Sequence, residues 1–185
     1  MKVLLLQLSD LHIGSSEISH SIDVAKMERA LNVLEKTEEC IVVISGDLAA
    51  KGIKQDYIFV TGFLFAVFKK LVCKKYKGKH IECICVPGNH DIDFENLNIN
   101  LVDLETDDIG LINQNIDKYL NAMKNYFFFS KKYNCFVDNE LVSKRILDFG
   151  GCKLGFVMVN SAPMSLLGGK AEDMGMHFLP SECIE

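Results

Sequence analysis

Three short apolar segments constrain the fold of this chain more than any other feature of its sequence. They are Val3–Leu8, Ile41–Ser45 and Ile81–Val86. Runs of this length, rich in Val, Ile and Leu, are typical of strands covered on both faces, as in parallel sheets. Segments with apolar residues at helical spacing separate them. The sequence therefore predicts an α/β fold, in which a largely parallel sheet is flanked by helices.

Each of these predicted strands runs directly into a polar cluster. Asp10 and His12 follow the first strand, Asp47 follows the second, and Asn89 and His90 follow the third. Because the carboxyl ends of parallel strands meet at one edge of a sheet, we expect these side chains to lie near one another. Carboxylate, imidazole and amide groups are all ligands for divalent cations. The sequence therefore predicts a metal site at this edge.

The residue types in these clusters suit a site for two metal ions. Asp10 and His12, two residues apart, can chelate one ion from the same side of an extended strand end. Asp47 can bridge two ions through its two oxygens, and Asn89 can complete the shell of the second ion with a neutral ligand. Two ions about 3.5–4 Å apart can activate a water and stabilise an in-line phosphoryl displacement.

His90 and the residue that follows it, Asp91, offer acid–base groups. His90 is placed to protonate the leaving oxygen, and Asp91 is placed to hold the His90 ring in the required tautomer. We therefore predict catalytic roles for both. Polar residues at strand ends also make ordinary turn and cap contacts. It is the joint occurrence of all three clusters that favours a metal site over that alternative.

Composition limits the class of protein. At 185 residues and 49% hydrophobic, the chain can bury one sizeable core, so we predict a single domain over residues 1–185. The net charge of -5 gives no global signature of nucleic-acid or membrane binding. No apolar run approaches the roughly 20 residues of a membrane-spanning helix. Seven cysteines without a Cys-x-x-Cys pair favour reduced thiols and a cytoplasmic location.

The second half of the chain departs from the alternating pattern. Phe94–Tyr133 reads as a mainly helical insertion, within which the aromatic run Tyr126–Phe129 is expected to pack in the core. Glu140–Phe149 and Lys153–Val159 flank two glycines and predict a β-hairpin in a second sheet. The chain ends one turn into a predicted helix, so we expect it to be truncated at its C-terminus.

The three polar motifs together resemble those of the calcineurin-like metallophosphoesterases. In chain order they are Asp10-Leu11-His12, Gly46-Asp47 and Gly88-Asn89-His90-Asp91. The resemblance is strong from Val3 to about Asp93. An Asn160-Ser161-Ala162 element after a later strand extends it weakly to about residue 180.

This resemblance implies an α-β-β-α sandwich with mixed sheets and a dinuclear metal centre. Manganese is the first expectation for the two divalent ions, with iron, zinc or magnesium as alternatives. The resemblance implies metal-ligand roles for four residues and an acid role for His90; the four are Asp10, His12, Asp47 and Asn89. The implied function is hydrolysis of phosphomonoesters or phosphodiesters by hydroxide at the metal centre. A nuclease or phosphodiesterase is slightly favoured, so nucleic acid is retained as a candidate substrate.

One departure from the family pattern leaves alternatives open. The family supplies further metal ligands from a later His and a Gly-His-x-His motif, and this sequence contains neither. His177 is the remaining candidate, and we expect it to be structural. A missing C-terminal segment or a partner subunit would complete the site. The alternative is a non-catalytic scaffold of the same fold with an incomplete metal site, and whether the 185 residues are active alone is left open.

Overall fold

A computed structural model shows two β-sheets with helices packed against one of them. It describes residues 1–14, 26, 29–32, 37–64, 72, 80–99, 109–135, 139–163 and 165. In chain order the elements are β1 (Val3–Leu8), β2 (Glu39–Ser45), α1 (Lys54–Gly62), β3 (His80–Val86), α2 (Ile109–Ala122), α3 (Lys124–Tyr133), β4 (Val142–Asp148) and β5 (Lys153–Val159).

The first sheet is parallel and has the strand order β1-β2-β3. Its register pairs Leu8 of β1 with Ile44 of β2, and Ser45 of β2 with Val86 of β3. The carboxyl ends of the three strands therefore lie at one edge. This confirms the predicted α/β fold with a parallel sheet and the three predicted strands.

Both faces of the central strand β2 are buried, because its side chains alternate between two different packing partners. Val42 and Ile44 contribute to a core that includes Val60 of α1. Ile41 faces the other way and packs with Leu147 of the second sheet. The layers are thus helix, sheet and sheet, and each fully buried Val or Ile stabilises them by roughly 1.5–3 kcal/mol. An outer helical layer on the far side of the second sheet is not among the described elements.

The second sheet is the predicted hairpin of β4 and β5, which pair antiparallel. Its turn is closed by a hydrogen bond from the amide of Phe149 to the carbonyl of Cys152, and Gly150 adopts a positive φ of 75° there. Arg145 of β4 ties the hairpin to the first sheet. Its guanidinium donates to the carbonyl of Cys83 at 3.1 Å and forms an ion pair with Glu82.

Two packing expectations were wrong in detail. Leu5 of β1 is 51% exposed, although we expected this strand to be covered on both faces. The hairpin buries Ile41 of β2 and Ile84 of β3, whereas on β1 it covers Val3 only in part and leaves Leu5 exposed.

In the aromatic run of α3, Tyr126 and Phe129 are buried, but Phe128 is 76% exposed. Tyr126 and Phe129, three residues apart, share a helix face; of the two residues between them, Phe127 packs partly against the core and Phe128 points outward.

Helices α2 and α3 account for much of the predicted helical insertion at 94–133, whereas residues 100–108 lie outside the described part. His177 and the predicted C-terminal helix also lie outside it. Within the described part, no helix combines the length and the hydropathy that a membrane crossing requires.

The buried position of β2 predicts a difference in thiol reactivity. Burial raises the pKa of Cys40 to about 11, whereas Cys152 lies exposed in the hairpin turn. At pH 8 about one Cys40 side chain in a thousand is then a thiolate. We expect iodoacetamide to label Cys152 in the native protein and Cys40 only after denaturation, as measured by peptide mass spectrometry. Equal labelling rates would contradict the buried position of β2.

Candidate metal centre

The polar loops that follow the three strands are joined to one another by backbone hydrogen bonds. The amide of Asp10 donates to the carbonyl of Gly46 at 3.3 Å, and the amide of His12 donates to the carbonyl of Asp47 at 3.0 Å. The amide of Gly46 donates in turn to the carbonyl of Val86 at 3.1 Å. The parallel pairing of the strands therefore continues past their ends, and it fixes the polar residues relative to one another.

Three of the predicted ligands have strained backbones. Asp10, His12 and Asp47 have φ values of 53°, 44° and 51°. Outside glycine, Asn134 is the only other described residue with a positive φ. Such a conformation costs on the order of 1 kcal/mol or more for a residue with a Cβ, and it persists where surrounding contacts enforce it. The strain is thus concentrated in the loops that carry the candidate ligands.

Three side chains converge at this edge. Ligand atoms of His12, Asp47 and His90 all lie within 4.8 Å of one another. His12 Nε2 is 4.0 Å from Asp47 Oδ2, and the two imidazole rings meet edge to face with their centroids 4.3 Å apart. All three residues are half-buried. Two imidazole nitrogens and a carboxylate oxygen form a mixed nitrogen and oxygen donor set that suits divalent ions such as Mn²⁺, Fe²⁺ or Zn²⁺.

His90 is held by contacts at both its backbone and its ring. Its amide donates to Oδ1 of Asp47 at 3.0 Å, and its Nδ1 lies 3.0 Å from the carbonyl oxygen of Ala50. Because a carbonyl oxygen only accepts, Nδ1 carries the proton in this contact. Nε2 is then the nitrogen that is left to take up a proton, release one or bind a metal.

The carboxylate of Asp91 has different partners from those that we expected. It is fully buried and accepts hydrogen bonds from three backbone amides and one phenol, namely Leu48 (3.1 Å), Ala49 (2.9 Å), Gly88 (3.0 Å) and Tyr57 (2.7 Å). The ring of His90 is not among these partners, since Ala50 makes the contact predicted for Asp91. The donors lie on the loop after β2, on the turn after β3 and on helix α1. The carboxylate therefore joins the loop that carries Asp47 to the turn that carries His90. Burial raises the pKa of Asp91, and the four donors oppose that shift.

The two remaining predicted ligands lie on the same loops as the cluster. Asp10 is exposed, and its side chain is outside the group formed by His12, Asp47 and His90. Asn89 is half-buried and begins the 3₁₀ turn Asn89–Asp91. Their metal-ligand roles stay predictions.

Sequence reasoning assigned no supporting role to two residues that stabilise the site, although it named Gly88 as part of a motif. Tyr57 of α1 donates to Asp91, and its position gives no sequence signal because a tyrosine on a helix usually packs in a core. Gly88 lies directly against Asp47: a Cβ there would overlap Oδ1 of Asp47 and lie 2.5 Å from its amide nitrogen. A glycine before a polar turn residue is a recognisable signal of such a close backbone approach.

The contact at Gly88 predicts that Gly88→Ala displaces Asp47 and weakens metal binding. We expect the affinity for Mn²⁺, measured by isothermal titration calorimetry, to fall at least about tenfold, because outer contacts that orient a ligand typically matter by 10–100-fold. Gly151→Ala is the matched control, since a Cβ there has no atom within 4 Å. Equal Mn²⁺ affinity in Gly88→Ala and wild type would contradict the close packing of these two loops.

Comparison with known proteins supports the same interpretation. A family model described as calcineurin-like phosphoesterase matches residues 3–160, a span that includes all three polar motifs and both sheets. A comparison with curated proteins gave no match. Since the family model covers most of the 185 residues, the chain belongs to the calcineurin-like phosphoesterase family.

Proposed function

We propose that this chain is a metal-dependent phosphoester hydrolase in which His12 and Asp47 bind metal and His90 acts as the general acid. The convergence of these three side chains within 4.8 Å is the observation that carries the proposal. Membership of the calcineurin-like phosphoesterase family supports the general reaction, which is metal-dependent hydrolysis of a phosphoester.

The proposed metal ligands are His12 and Asp47, with Asp10 and Asn89 on the adjoining loops. Divalent ions in such a centre supply Lewis-acid activation of water and neutralise charge that develops on the phosphoryl oxygens. We propose two ions, and Mn²⁺ is the first to test because the nitrogen and oxygen donors suit it. The strained backbones of Asp10 and His12 support this assignment, since strain of this kind clusters at functional sites.

The role proposed for His90 follows from its two fixed contacts. Its amide bond to Asp47 sets the position of the residue, and its Nδ1 bond to Ala50 sets the rotation of the ring. A protonated Nε2 can then donate to the oxygen that leaves phosphorus. Proton donation matters most when that oxygen would otherwise depart as an alkoxide, as it does from phosphodiesters of ordinary alcohols. This role of His90 suits monoesters and diesters of ordinary alcohols alike, and we propose phosphodiesters, nucleic acids included, as the first substrates to test.

Asp91 has a supporting part in this proposal. Its carboxylate binds the amide of Gly88 and the amides of Leu48 and Ala49, which lie on the two segments that carry the reacting groups. It therefore positions His90 through the backbone, and the described hydrogen bond of the His90 ring is to Ala50. This replaces the predicted role in which Asp91 orients the imidazole directly.

A scaffold function is the second candidate. Asp10 is exposed, and among the described His, Cys, Asp and Glu side chains the group of possible ligands contains only His12, Asp47 and His90. A site with few ligands can bind an ion weakly without supporting hydrolysis. Metal binding without turnover would favour this candidate.

Asp47→Asn tests the metal ligand without removing the acceptor for the His90 amide, because the Asn side chain keeps one carbonyl oxygen. With bis(p-nitrophenyl) phosphate in excess Mn²⁺, we expect the variant to lose at least about 100-fold in kcat/KM through the loss of one ligand charge. The exposed Asp148 provides the matched control, since Asp148→Asn makes the same change away from the site. Equal losses in both variants, or none in Asp47→Asn, would contradict the proposed centre.

His90→Gln tests the general acid. We expect a loss of about 10²–10⁴-fold in kcat on a dialkyl phosphodiester, because the leaving alkoxide needs a proton. The loss on the p-nitrophenyl ester should be much smaller, because p-nitrophenolate leaves readily without one. Equal losses on the two substrates would instead indicate that His90 serves as a metal ligand. A wild type that binds Mn²⁺ and hydrolyses neither ester would favour the scaffold.

A further inference from the structure

The surface also contains a groove whose described lining includes none of the residues proposed to carry out hydrolysis. It has a volume of about 670 Å³ and lies between helices α1 and α3. Its walls combine aromatic, aliphatic and basic side chains: Lys54, Tyr57, Ile58, Thr61, Lys124, Asn125, Phe128, Phe129, Lys132 and Tyr133. This volume lies in the range of pockets that bind ligands.

The sequence spacing sets which side chains line the groove. On α3, Lys124, Phe128 and Lys132 follow one another at intervals of four residues and form one stripe along the helix. On α1, Lys54 and Ile58 have the same spacing. Phe128 is 76% exposed and Ile58 is 55% exposed, so each helix presents one large apolar side chain to solvent. Single exposed apolar residues are common, but here two share one concave surface.

The charged side chains that line the groove are all basic in the described part of the chain. Its described lining residues include three lysines and no carboxylate. None of the three forms an ion pair with another described residue, and Lys132 lies over the Tyr133 ring, 5.3 Å from its centroid. The whole chain carries a net charge of -5, so this groove is a local positive region on an acidic protein. Its occupant is therefore expected to carry negative charge beside apolar groups.

The floor of the groove is held in place by contacts with the site loops. The Tyr57 hydroxyl donates to Asp91 at 2.7 Å, and the Asn125 side-chain amide donates to the carbonyl of Gly52 at 3.0 Å. The Tyr57 ring also packs on Phe129 with the centroids 5.6 Å apart. The groove is thus preformed, which lowers the conformational cost of binding.

We propose that an acidic amphipathic helix of a partner protein docks in this groove. Two helices form its walls, and helix backbones offer no free strand edge, so the groove suits a third helix packed by ridges and grooves. Apolar residues on one face of that helix contact Ile58 and Phe128. Glu or Asp residues beside that face pair with the lysines at the rim.

A single-stranded nucleic acid fits the groove less well. Stacking of successive bases requires several accessible aromatic faces. Of the aromatic residues in the lining, Tyr57 and Phe129 are buried, and Phe128 alone is classed as exposed. The aliphatic Ile58 also favours an apolar helix face over stacked bases.

The test measures binding of a fluorescein-labelled designed peptide to the full chain by fluorescence anisotropy. The peptide has about 18 residues, with Leu at positions i, i+4, i+7 and i+11 and Glu beside them. We expect Phe128→Ala to weaken binding at least about tenfold, as for an apolar anchor at the centre of an interface. Lys132→Glu should weaken binding several-fold, with a reduced dependence on salt concentration.

Two variants serve as matched controls. Lys131→Glu makes the same charge change in the same helical turn but outside the groove, and Ile146→Ala removes an exposed apolar side chain from the hairpin. Both should bind the peptide as the wild type does, and thermal melting should show that all four variants are folded. Binding and melting do not depend on phosphoester hydrolysis, so this test stands apart from that of the proposed function.

Three outcomes would overturn the proposal. The first is absence of peptide binding to the folded wild type. The second is an equal loss of peptide affinity in Lys131→Glu and Lys132→Glu, which would indicate non-specific electrostatic attraction to the protein surface. The third is tighter binding of a labelled oligothymidine that is lost in Phe128→Ala, which would assign the groove to single-stranded nucleic acid.

Discussion

One buried carboxylate connects most of the features described above. Asp91 is fully buried and accepts four hydrogen bonds, three from backbone amides and one from the Tyr57 hydroxyl. Each backbone amide left without a partner in a buried site costs on the order of 1–3 kcal/mol. The loop after β2 and the turn after β3 are therefore stable in their observed conformations only while this acceptor is in place. His90 and Asp47 lie on those two segments, so the geometry of the candidate metal centre depends on Asp91, although the described hydrogen bond of the His90 ring is to Ala50.

The same loops show why the sheet edge tolerates strain. The positive φ angles of Asp10, His12 and Asp47 are unfavourable for residues with a Cβ. Backbone hydrogen bonds between neighbouring loops offset this cost, because they extend the parallel pairing beyond the ends of the strands. Gly88 allows the closest approach, since any side chain there would occupy the space of Asp47. A rigid sheet thus positions the loops, and the loops position the ligands.

Tyr57 physically links the candidate metal centre to the groove. Its ring lines the groove between α1 and α3, while its hydroxyl donates to Asp91. Burial and the nearby Asp91 charge raise the pKa of Tyr57, which keeps the hydroxyl protonated as a donor. A helix bound in the groove would therefore contact a residue that stabilises the loops of the metal centre. The groove and the candidate metal centre therefore share Tyr57, although they suit different ligands.

Local sequence patterns determined much of this structure. Apolar runs predicted β1, β2, β3 and the hairpin, because burial of a strand demands apolar side chains at nearly every position or every second one. The polar motifs at the strand ends predicted the convergence of His12, Asp47 and His90, because parallel strands bring their carboxyl ends to one edge. These inferences needed only chain connectivity and the periodicity of side chains.

Tertiary packing determined the hydrogen-bond partners of Asp91 and the exposure of individual apolar side chains. The sequence places Asp91 next to His90, yet its carboxylate accepts hydrogen bonds from three donors far away in the chain, on Leu48, Ala49 and Tyr57, and from the nearby Gly88 amide, since buried polar groups require hydrogen-bond partners. Leu5 is as apolar as its neighbours, yet the hairpin leaves it exposed. Phe128 and Phe129 are the same residue type and differ in the helix face that they occupy, and the neighbouring elements determine which face is covered. Contacts between residues far apart in the chain set burial and hydrogen-bond partners, and local sequence does not encode them.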